Sequence, residues 1–163
     1  MNTKIRYIAT AAVAGAVYLA LTVAFLPFSY GPVQVRLSEA LCVLPFFAPG
    51  TAWGLFAGCA IANAFGGFGL VDVIFGSLAT LASGLIAGRL RSIWLVPLPA
   101  VIINAIVVGV ELTWLLTDPP LWATLPFNAG AVALGQVIAC YGFGIPLMFG
   151  LRKTRVLEGL RGG

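Results

Sequence analysis

Histidine is absent from all 163 residues, and aspartate and glutamate together number only 5. No imidazole is available for acid–base work, and a zinc or haem site built on histidine is excluded. Charged residues make up 9% of the chain, against roughly 25% in a soluble domain. So little charge cannot cover a surface that faces water all round, so the composition is that of a membrane protein. No GxxxxGK[ST] string occurs, and the near-match GLRKT at residues 150–154 lacks the glycine before its lysine. The chain therefore has no P-loop with which to hydrolyse nucleotide. GxSxG, HExxH and carboxylate pairs at metal-ligand spacing are also missing, which argues against a membrane enzyme. Uphill transport, if the chain performs it, would draw on an ion gradient or a separate ATPase. The three cysteines, Cys42, Cys59 and Cys140, lie inside apolar runs with no CxxC. They read as small buried apolar side chains.

What is abundant is uncharged length. Residues 7–35, 40–71, 92–110 and 119–151 contain no Asp, Glu, Lys or Arg, and 73–88 form a shorter run of the same kind. About 20 apolar residues suffice to cross the hydrocarbon as a helix. The first run is too long for a cleavable signal peptide, and equally apolar runs follow it.

The bases count the crossings. Lys4 and Arg6 precede the first run, Arg89 and Arg91 interrupt the middle, and Arg152, Lys153, Arg155 and Arg161 close the chain. The positive-inside rule places all three clusters in the cytoplasm. An even number of crossings must then separate Arg6 from Arg89, so residues 36–67 form a hairpin broken at Pro45, Pro49 and Gly50. The expected architecture is an all-α integral membrane protein, a single domain over 1–163. Its six helices are expected at about 7–26, 36–48, 51–65, 71–88, 93–115 and 125–150. Both termini are expected to be cytoplasmic, and the outer loops fall at about 27–35, 66–70 and 116–124. Asp118, Pro119 and Pro120 mark the last of them.

On this map the remaining polar residues collect on the outer half. Glu39, Asp72, Glu111 and Asp118 lie there, as does Arg36, while Glu158 is the exception. Asn63 and Asn128 sit at outer helix ends, with Asn104 and Gln136 deeper. Ionisable groups at membrane depth are costly unless paired or wet, and mark functional sites by default. Each also has a plainer reading. Arg36 and Glu39, three apart on a helix, can be a structural pair, and Asp72 can cap helix four. Asn104 and Gln136 can be interhelical hydrogen-bond glue. Together they describe an outward-facing pocket with excess negative charge, suited to a small cation or a ligand rich in donors. SYGPVQ at residues 29–34 reads as a lid over it, with Gly31 and Pro32 shaping the turn.

Helix one carries Ala12, Ala16, Ala20 and Ala24 at intervals of four. Such a small-residue stripe lets another helix approach closely, and four alanines in register exceed what one internal contact needs. Gly54 with Gly58, and Gly84 with Gly88, repeat the spacing, where ordinary internal packing explains it as well.

FSYGPVQVRLSEALCVLPFF, followed by GLFAGCAIANAFGGFGLVDVIFGSLATLASGLIAG, resembles the QueT-type queuosine-precursor transporters, which are substrate-binding S components of energy-coupling factor (ECF) transporters. The resemblance is close over residues 7–90, and the length and last two helices also agree. It implies an ECF S-component-like bundle, multi-pass in the plasma membrane of a prokaryote. Such a component captures a 7-cyano- or 7-aminomethyl-7-deazaguanine from outside. It implies a transmembrane coupling protein and two cytoplasmic ATPases as partners, with the alanine stripe facing the coupling protein. No cofactor is expected in this chain, since ATP is used by the partner subunits, and neither metal nor nucleic acid is expected. The chemistry of such a ligand calls for Glu111 or Glu39 on the guanine-like edge, where a carboxylate accepts two donors at once, and Asp72 near the amine. Arg36 would hold Glu39 or reach the ring carbonyl. Tyr30, Phe68 and Trp114 would stack on the ring or close over it, and Asn63, Asn104, Asn128 and Gln136 would complete the pocket. The residues alone leave open an S component for another small vitamin-like cargo, or a self-associating scaffold or pore.

Overall fold

A computed structural model describes residues 3–30, 34–66, 68–116 and 121–154. Gly31 and Pro32 of the expected lid, Asp118, Pro119 and Pro120 of the last expected outer loop, and Arg155, Glu158 and Arg161 lie outside the described residues. The described residues contain helices and no strands.

Helix α1 (Thr3–Ala24) is followed by a single turn, α2 (Leu26–Ser29). A 3₁₀ segment, Leu37–Phe46, then leads into α3 (Thr51–Ala64). A π segment, Asp72–Gly76, opens α4 (Ser77–Ala87), and α5 covers Leu98–Leu115. The last run is α6 (Leu125–Gln136), a π segment Val137–Gly144, and α7 (Ile145–Thr154). Three helical stretches are long and apolar enough to cross a membrane: Lys4–Ala24, Ile93–Leu115 and Trp122–Thr154. Leu37–Phe46 and Asp72–Ala87 are shorter apolar helices.

Residues 36–48 were expected as an ordinary helix. They wind instead as 3₁₀, at about 2.0 Å rise per residue rather than 1.5 Å. Ten residues then reach about 20 Å, which suits a limb too short to span as an α-helix. Pro45, inside the segment, has no N–H for the ladder. The segment buries Ser38, Glu39, Ala40, Cys42, Val43, Pro45 and Phe46, so it is threaded through the bundle.

Helices α1 and α3 meet at backbone distance. A Cβ added at Gly54 would collide with the Ala11 backbone, and one at Gly58 with the Gly15 backbone. Gly84 and Gly88 make room for the proline end of the 3₁₀ segment, where an added Cβ would lie 3.3 Å from the Pro45 ring and 3.1 Å from its carbonyl respectively. Both glycine pairs are therefore internal contacts. The four alanines of α1, Ala12, Ala16, Ala20 and Ala24, are all exposed.

Candidate functional site

Arg36 is the residue from which the site is built. It stands just before the 3₁₀ segment with extended backbone, φ −85° and ψ 101°. Outside the helix, its side chain shares no helical face with Glu39. It turns across the bundle: Nη2 donates to Asp72 Oδ2 at 3.2 Å, Nη1 to Asn63 Oδ1 at 3.1 Å, and Nε to the Ser29 carbonyl at 3.2 Å. Its guanidinium also lies 4.6 Å from the centroid of the Tyr30 ring, a cation–π contact. The expected partnership of Arg36 with Glu39 is replaced by a buried ion pair with Asp72.

Asp72 does not cap helix four. Its position is the first of the π segment, and no side-chain cap bond forms there. Its carboxylate accepts from Arg36 and, at 3.1 Å, from Asn63 Nδ2, which also donates to the Asp72 carbonyl at 2.8 Å. Tyr30 Oη lies 3.0 Å from Asn63 Oδ1 and from the Ala62 carbonyl. The Tyr30 ring meets Phe68 at 6.0 Å between centroids, tilted by 47°. Phe68 in turn packs on Val108, Leu112 and Val132. A wall of Tyr30 and Phe68 thus joins the Arg36–Asp72 pair to α5 and α6.

Glu39 belongs to a second, deeper network. It is 1% exposed, and both of its oxygens are engaged. Oε1 accepts from Tyr18 Oη at 2.5 Å, while Oε2 accepts from Cys42 Sγ at 3.0 Å and Asn104 Nδ2 at 3.3 Å. Cys140 Sγ lies 3.4 Å from the Glu39 carbonyl and 3.4 Å from Gln136 Oε1. Asn104 and Gln136 are therefore hydrogen-bond glue around this centre. The three cysteines do more than fill space. Cys59 Sγ lies 3.4 Å from Tyr18 Oη and from Thr80 Oγ1 and accepts from Asn63 Nδ2 at 3.6 Å, so it ties the two networks together. Among the described residues no group of three or more His, Cys, Asp or Glu is placed to hold a metal ion.

Glu111 is different in kind. Its side chain is 5% exposed, yet neither carboxylate oxygen has a hydrogen-bond partner. Buried polar atoms almost always find partners, and leaving a carboxylate without one is strongly unfavourable. The residue sits on a cleft of about 380 Å³ between the start of helix four and α5, shared with Val71, Phe75, Ile106, Val107, Val110 and Trp114. Trp114 is 54% exposed at its rim. One turn away, Asn128 Nδ2 donates to Thr113 Oγ1 at 2.9 Å, fastening α6 to α5. The pocket candidates thus divide. Tyr30, Arg36, Asn63, Asp72 and Phe68 are brought together, Glu111 and Trp114 share the adjoining cleft, and Glu39, Asn104 and Gln136 form the separate inner network.

Gln34 was passed over in the sequence, where it is one uncharged residue inside the SYGPVQ string. Its backbone has φ 47°, the left-handed region that non-glycine residues seldom enter. It is 3% exposed, and its Nε2 has no partner. No pattern of residue types announces a left-handed backbone at a glutamine.

Among known proteins, the family model described as QueT transporter matches residues 8–153. The queuosine precursor transporter QueT of Lactococcus lactis subsp. cremoris (strain MG1363) is 42% identical over 82 residues, which are 49% of this chain and 48% of that protein. The chain thus spans about half the length of the curated relative it matches. No solved structure matches.

Proposed function

The chain belongs to the QueT transporter family, and from that premise we propose that it is the membrane-embedded substrate-binding component for a 7-deazaguanine precursor of queuosine. The observation that carries the reading is the carboxylate of Glu111, buried with neither oxygen partnered. A 7-deazaguanine offers a ring N–H and an amino group side by side, and one carboxylate accepts both. Of the two acids proposed for that edge, Glu39 already holds donors on both oxygens, which favours Glu111. Asp72 is committed to Arg36 and Asn63, so its role is to fix the pocket wall rather than to meet an amine directly. Tyr30 and Phe68 supply the flat apolar surface that a heterocycle stacks on.

Six crossings with both termini in the cytoplasm remain the proposed topology of a single domain. The four tryptophans support it. Trp53 and Trp94 lie near the expected inner ends and Trp114 and Trp122 near the outer ends, and all four are exposed, as in the aromatic belts of membrane proteins. The exposed alanine stripe is the proposed seat of a transmembrane coupling protein that works with two ATPases. It borders a shallow groove of about 300 Å³ between α1 and α3, lined by residues including Ala12, Gly15, Ala16, Gly54 and Gly58.

Titrating the purified chain with 7-cyano- and 7-aminomethyl-7-deazaguanine tests the reading. One-to-one binding is expected. Failure to bind either compound, together with stable homo-oligomers, would instead indicate a self-associating scaffold, and binding of a different vitamin-like compound would redirect the cargo assignment.

A further inference from the structure

We infer that Gln34 is a specificity-determining residue of the pocket, its side-chain amide donating to the ring carbonyl of the ligand; this rests on the substrate reading given above. Among the described residues, the buried side-chain nitrogen and oxygen atoms left without a partner are Gln34 Nε2 and the two oxygens of Glu111. One donor and two acceptors are therefore unmatched in a core where the other buried polar side chains are satisfied. The edge of a 7-deazaguanine presents the complement in a row: a carbonyl acceptor, a ring N–H donor and an amino donor. Glu111 takes the two donors, and the acceptor beside them calls for an N–H donor.

The backbone places Gln34 for that task. The Arg36 N–H donates to the Gln34 carbonyl at 2.9 Å, which fixes Gln34 against a residue that is itself pinned to Asp72. Val71, the neighbour of Asp72, lines the same cleft as Glu111. Gln34 is thus tied to the Arg36 side of the ion pair, and Glu111 shares a cleft with the neighbour of Asp72 on the other side. Gln34 also has φ 47°, the only positive φ at a non-glycine among the described residues. Strained conformations of this kind persist where the surrounding structure holds a side chain for a purpose.

The test compares the full chain with Gln34→Gly. Glycine removes the amide while relieving the positive φ, so folding is favoured rather than penalised. Each protein is titrated with 7-aminomethyl-7-deazaguanine and with its 6-thioxo analogue, which keeps the ring N–H donor but replaces the carbonyl by a weakly accepting thiocarbonyl. The wild type should prefer the oxo compound by about 10- to 100-fold, the range for a buried donor left without a good acceptor. Gln34→Gly should bind the oxo compound more weakly by a similar factor and lose the preference. Retention of either the affinity or the preference in Gln34→Gly would overturn the inference while leaving the substrate reading intact. Failure of the wild type to bind either compound removes both. If Gln34→Gly does not purify as folded protein, Gln34→Asn is compared in the same way, and a wild type indifferent between the oxo and thioxo compounds is by itself sufficient to reject the role.

Discussion

Arg36 donates to Asp72 at 3.2 Å across the bundle, while Glu39, three residues along the chain, takes its donors from Tyr18, Cys42 and Asn104. The two charges that look like neighbours in the sequence thus belong to different networks. Removing Arg36 leaves Asp72 buried and uncompensated. Arg36→Ala is expected to lower stability by about 3–5 kcal/mol, read as thermal unfolding in detergent. Replacing both partners, as in Arg36→Met with Asp72→Leu, should cost clearly less than the sum of the single changes. Additive losses would show that the two residues are not coupled.

The inner network predicts a separation of stability from binding. Tyr18→Phe removes a hydrogen bond to a buried carboxylate, at a cost of about 1.5–3 kcal/mol. Because Glu39 has no free oxygen, Glu39→Gln should destabilise the protein yet leave its affinity for a 7-deazaguanine within about threefold, a difference below 1 kcal/mol. A large loss of affinity in Glu39→Gln would move the ligand's edge from Glu111 to Glu39.

Much of this organisation was legible in the sequence. The uncharged runs pointed to an all-helical chain, and the described residues contain helices and no strands. The sequence groups Arg36, Asn63 and Asp72 with the other polar residues because burial of polar groups is costly wherever the chain is greasy, and hydrogen bonds join these three. The pairing was not legible. The rule of neighbours three apart holds only within a helix, and Arg36 stands in extended backbone before the first turn. Nor could composition distinguish the 3₁₀ winding of Leu37–Phe46 from an α-helix, since that depends on depth in the bundle and on Pro45.

The close approach of α1 and α3 gives a third expectation. Gly54→Ala or Gly58→Ala places a methyl group into the facing backbone, so the helices must separate, at about 1–3 kcal/mol. Gly130, in α6, has nothing within 4 Å of an added Cβ. Gly130→Ala should be neutral or stabilising by up to about 1 kcal/mol. Thermal unfolding of the three variants side by side decides whether backbone contact, rather than glycine itself, sets the effect.

The exposed alanines predict an effect on assembly alone. Ala16→Leu and Ala20→Leu should leave thermal stability and ligand affinity unchanged, since both positions are exposed. They should abolish co-purification with a co-expressed coupling protein, because bulky side chains prevent close helix approach. Intact co-purification would place the partner on another face.

The most direct measurement of the central claim is the affinity of wild type and Glu111→Ala for 7-cyano-7-deazaguanine, which carries the donor edge without the amine. A carboxylate accepting two hydrogen bonds in a buried site predicts tight one-to-one binding by the wild type. It predicts a loss on the order of 100-fold or more in Glu111→Ala, with the variant as well folded as its parent. Equal affinity in the two proteins would contradict the assignment of Glu111 to the ligand.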